Sequence, residues 1–247
     1  MFSIFRKSAG NKTLDLSGLR VDMHSHLLPG IDDGAKTTED SLTLIRGLSD
    51  LGYSKLITTP HIMSEVYPNN AETILPALNE LRIALRNQVK NVEINAAGEY
   101  FLDEYFDSTL AAGFPLLTIS GNMVLVEFSF VSAPINSSNK FFEMQVKGFQ
   151  PVLAHPERYL YFARNKAQFD EFKSMGVLFQ VNLLSFTGYY GKPALEIANY
   201  LADKQCIDLL GTDMHHTRHL DKLRNAGSIS GTIKKLLDSG KILNPRL

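Results

Sequence analysis

The sequence predicts an α/β protein, an irregular TIM-like (β/α)7 barrel with its functional site at the C-terminal ends of the strands. Seven short apolar segments alternate with amphipathic segments of helical period. The apolar segments are hydrophobic on both faces, as in parallel strands that are covered by helices. Histidines and carboxylates gather where these segments end, which is the face that carries the chemistry of closed parallel barrels. An open doubly wound sheet is the alternative, and it would bring fewer strand ends together.

Composition restricts the class of protein. The chain has 247 residues, of which 44% are hydrophobic and 21% charged, and its formal net charge is −1. Such a chain can bury a full core, and without a basic stripe we expect no nucleic-acid partner. Cys206 is the single cysteine, which excludes an internal disulfide and a cysteine-rich zinc site and fits a cytoplasmic location.

The chain is predicted to consist of an N-terminal arm, residues 1–18, and one domain, residues 19–247. The arm is either a partly ordered terminus or a docking element for another subunit, so an oligomer is an open alternative. It has basic residues but no apolar run of signal-peptide length. The most apolar region, residues 111–130, is interrupted by a proline and by polar residues, so we expect no membrane insertion.

Seven apolar segments predict the strands of the sheet. Each is short and is bounded by turn-forming or polar residues, as buried parallel strands are. The predicted strands cover residues 19–24, 55–59, 92–97, 124–127, 151–154, 177–182 and 207–210.

Amphipathic segments predict helices between the strands. The first has a predicted N-cap at Thr38 and ends at Gly52. Pro193 lies in the first turn of another helix, and Gly176 ends a third. The predicted helices cover residues 38–52, 71–88, 102–110, 140–148, 166–175, 193–204 and the stretch from 221 onward.

Polar residues at the strand ends predict a metal site. His24 and His26 lie two residues apart at the end of the first strand, so both imidazoles point to one face. A loop carboxylate alone is usually solvated, but five of the seven histidines lie at strand ends, and the other two, His216 and His219, follow directly. The candidate ligands are His24, His26, Asp33, His61, Glu99, Glu127, His155, Asp213 and His215.

The number of candidate ligands predicts more than one ion. Five imidazoles and four carboxylates suffice for two or three divalent ions. Nitrogen and oxygen ligands without a thiolate suit Zn²⁺, Mn²⁺ or Fe²⁺. Three such ions would exceed the four carboxylate charges, so the pocket favours an anionic substrate such as a phosphate. Water on such an ion ionises near pH ~7 and provides a nucleophile without serine or cysteine.

These motifs together resemble the polymerase-and-histidinol-phosphatase (PHP) superfamily, and within it the bacterial manganese-dependent tyrosine-protein phosphatases of capsule and exopolysaccharide loci. The resemblance extends from residue 21 to residue 215. Histidinol phosphatases of the superfamily often have histidine where this chain has Asp33 and Glu127, so the carboxylates favour the tyrosine-phosphatase branch. The matching motifs are His24-Ser25-His26, Asp32-Asp33-Gly34, Thr59-Pro60-His61, Gly98-Glu99, Glu127, His155-Pro156-Glu157-Arg158-Tyr159 and Asp213-Met214-His215.

The resemblance implies an irregular (β/α)7 barrel with three divalent metal ions, Mn²⁺ first, with Fe²⁺ or Zn²⁺ as alternatives. It implies hydrolysis of tyrosine phosphate on a protein, the tyrosine-rich tail of a bacterial polysaccharide-export kinase. The implied ligands are His24, His26, Glu99 and Asp213 for the first ion, Glu99, Glu127 and His155 for the second, and Asp33, His61 and His215 for the third.

Three further residues are predicted to contact the substrate. Arg158, three residues after His155, would bind the phosphoryl group through two N–H donors, the alternative being an ion pair with Glu157. By the resemblance, Arg218 is the second phosphate-binding arginine. Asn182 ends the sixth strand and either hydrogen-bonds the substrate or closes a turn.

Three alternative functions remain open. The first is a small-molecule phosphatase such as histidinol-phosphatase. The second is a nuclease-type phosphodiesterase, against which the absence of a basic stripe argues. The third is a non-catalytic metal-binding protein that regulates a partner kinase.

Overall fold

Parallel strands and helices alternate through the computed structural model of this chain, which describes residues 14–86, 88–89, 91–132 and 134–247. Over those ranges the chain forms nine strands and eight α-helices. The strands are β1 (Val21–Asp22), β2 (Lys55–Thr58), β3 (His61–Ile62), β4 (Glu93–Ala96), β5 (Glu99–Phe101), β6 (Met123–Glu127), β7 (Gln150–Ala154), β8 (Leu178–Asn182) and β9 (Leu209–Gly211). The helices are α1 (Thr38–Asp50), α2 (Ala71–Leu85), α3 (Glu104–Ala112), α4 (Ser137–Val146), α5 (Ala167–Ser174), α6 (Lys192–Asp203), α7 (Thr217–Arg224) and α8 (Ser230–Asp238).

The nine strands form two parallel sheets. One has the order β1-β2-β4, and the other has the order β3-β5-β6-β7-β8-β9. Every pairing between these strands is parallel. The predicted α/β class with parallel strands is therefore confirmed, while the topology leaves two sheets and does not confirm the closed barrel.

The split into two sheets occurs at the ends of two predicted strands, 55–59 and 92–97, beyond which the chain forms the short strands β3 and β5 that were not predicted. Thr59 and Pro60 separate β2 from β3, and Ala97 and Gly98 separate β4 from β5. Pro60 has no N–H to donate to a ladder. At Gly98 a Cβ atom would lie 2.6 Å from the Ile62 side chain, so a larger residue there would force that side chain to move.

The predicted helices are present, with shifted ends. The N-cap of α1 is Thr37 and not Thr38, because the Thr37 hydroxyl accepts the Asp40 N–H and the Asp40 carboxylate accepts the Thr37 N–H, each at 3.1 Å. The stretch predicted as helical from 221 onward is two helices, α7 and α8, and α7 begins four residues earlier. Among the described residues, no helix is both long and apolar enough to span a bilayer.

Both faces of the strands are buried. Leu56 and Leu153 belong to a large core with the helices, whereas Ile57 and Val152, the neighbours of these residues along β2 and β7, belong to a second, smaller core. Because successive strand residues point to opposite faces, the second core lies on the side of the sheets away from the helices. The ligand-bearing strand ends lie at one end of this inner core.

The N-terminal segment before β1 packs on the domain. Leu14 and Leu16 are buried in the large core, and the Leu16 N–H donates to the Leu51 carbonyl at 2.7 Å. Of the predicted arm 1–18, residues 1–13 lie outside the described residues.

Candidate metal centre

The nine predicted ligands converge at the C-terminal ends of the strands. Each of the nine offers an atom to at least one of four groups, and the ligand atoms of each group lie within 4.8 Å of one another. The groups are His24, His26 and Asp213; His24, Glu99 and His155; His61, Glu99 and Glu127; and His26, Asp33, His61 and His215.

Two of the ligands follow their strands in a strained backbone conformation. His155 directly follows β7 with φ of 33°, and Asp213 follows β9 with φ of 50°. Side chains other than glycine are uncommon in this left-handed region, and such residues cluster at functional sites. The strain indicates that the surrounding fold holds both side chains in place.

The nine candidate ligands enclose a concave region, which we call the basin. Four ligand atoms lie close together at its bottom. His24 Nε2 and His26 Nε2 are 3.4 Å apart, and they lie 3.2 and 3.4 Å from Glu99 Oε2. Asp213 Oδ1 lies 3.6 and 3.5 Å from the same two nitrogens. Bonds of about 2.1 Å in a tetrahedron place neighbouring ligands about 3.4 Å apart, so these five distances match the spacing of ligands around one divalent ion.

The other two implied sets are less regular. His61 Nε2 and His215 Nε2 lie 3.5 and 3.3 Å from Asp33 Oδ1, as the implied third set requires. Glu127 lies nearer to His61 than to His155, because Glu127 Oε1 is 2.8 Å from His61 Nδ1 whereas Glu127 Oε2 is 3.9 Å from His155 Nε2. His61 therefore faces Asp33 through Nε2 and Glu127 through Nδ1.

Several buried atoms of the basin have no hydrogen-bond partner. They are His61 Nδ1, Glu99 Oε2, Glu127 Oε1 and His155 Nδ1. Two of them, His61 Nδ1 and Glu127 Oε1, are only 2.8 Å apart, yet they are not aligned as a donor and an acceptor. Buried polar atoms normally find partners, so potential ligand atoms left without a hydrogen bond fit a site for cations.

Charge in the basin is balanced between imidazoles and carboxylates. Burial alone would raise the pKa of Glu99, but His24 and His61 hold that pKa well below its usual range. Burial alone would lower the pKa of His24, but Glu99 and Asp213 outweigh it and raise the pKa. Each group therefore favours its charged form because its neighbours carry the opposite charge.

Two residues that sequence reasoning missed orient the inner histidines. His24 Nδ1–H donates to the Gln180 amide oxygen, and His26 Nδ1–H donates to the Asp32 carboxylate, both at 2.7 Å and both buried. In the neutral imidazole these bonds place the proton on Nδ1, so that Nε2 is the nitrogen that faces Glu99 and Asp213. At Gly211 a Cβ atom would lie 2.7 Å from the Gln180 amide nitrogen, so this close packing requires glycine. The sequence signal that could have identified Gln180 is its position as a polar residue in the otherwise apolar strand β8.

The predicted substrate residues take different places. Arg158 Nη1 donates to Asp213 Oδ2 at 2.9 Å, so the ion pair is with Asp213 and not with Glu157. Asn182 is buried, and its Nδ2 donates to Asp213 Oδ2 at 2.7 Å. Its side-chain oxygen Oδ1 accepts from Gln180 Nε2 at 2.9 Å. Arg218 is exposed and does not line the basin, so its substrate role stays a prediction.

The basin opens to solvent as a cavity of about 230 Å³. Arg158 forms part of its wall, and the guanidinium lies 4.4 Å from the ring centres of both Phe130 and Tyr190. Cation–π contacts with the two rings help to hold the arginine in one orientation. The lining residues are Asp33, His61, Glu127, Phe130, His155, Arg158, Tyr190, Asp213, His215, His216 and His219.

Known proteins resemble this chain over most of its length. It is 27% identical over 198 residues to the tyrosine-protein phosphatase YwqE of Bacillus subtilis (strain 168), which covers 80% of this chain and 78% of that protein. It is 26% identical over 200 residues to the putative tyrosine-protein phosphatase CapC of Staphylococcus aureus, covering 79% and 76%.

Solved structures agree. One structure, from work on YwqE of Bacillus subtilis and CpsB of Streptococcus pneumoniae described as unique metal-dependent tyrosine phosphatases, matches with a TM-score of 0.75, 27% identity and coverage of 82% and 84%. The phosphotriesterase homology protein of Escherichia coli shares the fold, with a TM-score of 0.53, 14% identity and coverage of 90% and 92%. Residues 20–234 match the family described as "Capsular polysaccharide synthesis, CpsB/CapC". The chain belongs to this family.

Proposed function

We propose that this chain is a metal-dependent phosphatase that hydrolyses tyrosine phosphate on proteins and thereby regulates the synthesis of capsular polysaccharide or exopolysaccharide. The observation that carries the proposal is the inner group, His24, His26, Glu99 and Asp213, in which the two imidazoles lie 3.4 Å apart and each lies 3.2–3.6 Å from both carboxylates. The relatives named tyrosine-protein phosphatase support the same activity.

The nine ligands would hold three divalent ions, with Mn²⁺ as the first choice and Fe²⁺ or Zn²⁺ as alternatives. As the family resemblance implies, His24, His26, Glu99 and Asp213 would hold one; the other two sets are Glu99, Glu127 and His155, and Asp33, His61 and His215. When bound, such ions supply Lewis acidity toward phosphoryl oxygens and activate water for attack.

The residues around the ions would position the phosphoester. Arg158 uses one N–H on Asp213, and its remaining N–H donors are available to a phosphoryl group in the basin. Arg218, exposed at the start of α7, would bind the phosphoryl group as it enters. Asn182, predicted as a substrate contact, would act through Asp213 instead, because its hydrogen bonds lie within the protein.

The chemistry of the leaving group favours an aryl ester. A phenol has a pKa of about 10, so its anion leaves with less protonation than an alkoxide needs. No cysteine nucleophile is required, and Cys206 lies on the segment before β9, away from the basin lining.

We also propose that the two sheets belong to one irregular (β/α)7 barrel within a single domain, residues 19–247. Two hydrogen bonds support closure between the first and last strands: Asp213 N–H donates to the His24 carbonyl at 2.8 Å, and His26 N–H to the Met214 carbonyl at 2.9 Å. The physiological substrate would be the tail of a bacterial tyrosine kinase, met in the cytoplasm.

Elemental analysis combined with a phosphotyrosine assay tests the proposal. Wild type should contain bound divalent metal and hydrolyse a phosphotyrosyl peptide faster than histidinol phosphate. His24→Ala should lose metal and activity, while Arg158→Ala should keep its metal and lose turnover. Full activity after exhaustive metal removal, or in His24→Ala, would refute the mechanism, and normal metal content without turnover of any phosphoester would favour the regulatory alternative.

A further inference from the structure

The mouth of the basin has an apolar side. Phe130 lies three residues after Glu127, and Leu160 lies five residues after His155, so both follow candidate ligands on neighbouring loops. Phe130 is 48% exposed and Leu160 is 47% exposed. Large apolar side chains left in solvent beside a functional cavity typically mark a contact surface.

These two side chains border a second cavity, of about 190 Å³. Its lining is Phe130, Arg158, Leu160, Tyr190 and Ala194, and we call it the apolar cavity. Phe130, Arg158 and Tyr190 also line the basin, so the two cavities share one wall. A cavity of about 150 Å³ accommodates a benzene molecule, so the apolar cavity has room for one side chain.

The loops around the apolar cavity are fixed before any ligand arrives. Tyr161 Oη–H donates to the Ser129 carbonyl at 3.0 Å, and Phe128 N–H donates to Tyr159 Oη at 2.9 Å. Both bonds join the loop after β6 to the loop after β7. A preformed surface loses little conformational entropy on binding.

The guanidinium of Arg158 is already engaged by other groups. It is paired with Asp213, it contacts the rings of Phe130 and Tyr190, and in the proposed function it also binds the phosphoryl group. The apolar cavity therefore offers an acidic side chain no unpaired cation among its lining residues, whereas an apolar side chain would remove Phe130 and Leu160 from water.

We infer that the apolar cavity binds an apolar side chain adjacent to the phosphotyrosine in the substrate polypeptide. The inference rests on the proposed function, because a phosphoryl group in the basin places the flanking residues of its peptide at the mouth. The shared wall makes the apolar cavity continuous with the position of the tyrosine ring.

Matched phosphotyrosyl peptides test the inference on the metal-loaded full chain. One peptide carries leucine on both sides of the phosphotyrosine, a second carries serine there, and a third carries aspartate. Wild type should hydrolyse the leucine peptide with a kcat/KM about fivefold to tenfold above that of the serine peptide. The aspartate peptide should show no advantage over serine.

Leu160→Asp should reduce the preference for leucine over serine to less than about twofold, because binding of an apolar side chain would remove the new carboxylate from water. Phe142→Asp is the matched control, since Phe142 is 60% exposed on α4 and lines neither cavity. Its leucine preference should equal that of wild type. Thermal unfolding verifies that each variant is folded, and Leu160→Ala, with an intermediate preference, replaces Leu160→Asp if needed.

The outcomes separate the two proposals. If wild type shows no leucine preference, or if Leu160→Asp and Leu160→Ala keep it, the apolar cavity is not the subsite, even though the phosphatase activity stands. If the metal-loaded wild type hydrolyses none of the three peptides, the proposed function fails instead.

Discussion

The inner and outer parts of the basin hold their ligands differently. His24, His26 and Glu99 are fully buried, and both histidines have a second hydrogen-bond partner on Nδ1. In the outer part the Asp33 side chain is 50% exposed, and the His61 and His215 side chains are 13% exposed. Ligands fixed by packing and by a second layer of hydrogen bonds bind metal more tightly than solvated ones. We therefore expect tight ion binding in the inner part and exchangeable binding in the outer part.

Removing the shared inner carboxylate should have the largest effect. Glu99 belongs to two of the four ligand groups, so Glu99→Gln should lose two ions and reduce kcat/KM by about a thousandfold or more. Elemental analysis and a phosphotyrosine assay measure both quantities. Glu80→Gln, the same change at an exposed position of α2, should behave as wild type. Retention of all ions in Glu99→Gln would contradict the shared-ligand arrangement.

An outer substitution should be milder and reversible. Asp33→Asn should lose one ion and reduce activity by about tenfold to a hundredfold at low Mn²⁺, with recovery as Mn²⁺ is raised. A Mn²⁺ titration of activity measures the shift. Asp50→Asn, at a side chain 71% exposed on α1, is the control. Loss of all metal from Asp33→Asn would show that the outer and inner parts do not bind independently.

Gln180 tests the hydrogen bonds that support the inner histidines, because it is not itself a candidate ligand. Gln180→Leu should weaken the affinity of the inner site by about tenfold to a hundredfold, since the His24 ring loses the acceptor that orients it. Competition with a chelator measures the affinity, and kcat should recover at saturating metal. Gln168→Leu on α5, away from the basin, should leave the affinity unchanged. An unchanged affinity in Gln180→Leu would mean that the His24 ring is held by packing alone.

Protons should compete with ions for the inner histidines. Burial opposes protonation of His24 and His26, but the nearby carboxylates outweigh it and raise both pKa values, so the metal-free imidazoles hold protons more firmly than a free histidine does. Ion binding must release these protons, so affinity should rise with pH, about tenfold per pH unit for each proton released. Calorimetry in buffers of different ionisation enthalpy counts the protons. A heat of binding that does not depend on the buffer would contradict the raised pKa values.

Sequence patterns predicted the converging ligands better than their supports. The convergence of these candidate ligands was predictable because parallel strands bring their C-terminal ends together, so a histidine or carboxylate at each end suffices. The bond between His24 and Gln180 joins residues 156 positions apart, and no local pattern specifies such a pairing. For the same reason the ion pair considered as the alternative role of Arg158 was one with the adjacent Glu157, whereas the structure pairs Arg158 with Asp213, 55 positions away.

For the fold, the positions of most strands and helices were predicted, but the division into two sheets was not. Apolar segments and helical periods located the elements, because burial on both strand faces leaves a direct signal in composition. The short strands β3 and β5, which follow Pro60 and Gly98 and join the second sheet, were not predicted, since two or three residues are too few to show a period.

The smallest effect should come from the exposed arginine. Arg218→Ala should raise the KM for a phosphotyrosyl peptide by about threefold or less and leave kcat and metal content unchanged, because a solvated guanidinium contributes little to an ion pair. Arg158→Ala should instead lower kcat, because Arg158 contacts Asp213 and lines the basin. Steady-state kinetics at two salt concentrations separate the two, since only the Arg218 contribution should weaken as salt screens it. If Arg218→Ala lowers kcat as much as Arg158→Ala, α7 must bring Arg218 into the basin when substrate binds, and the outer part of the basin is then completed by the substrate itself.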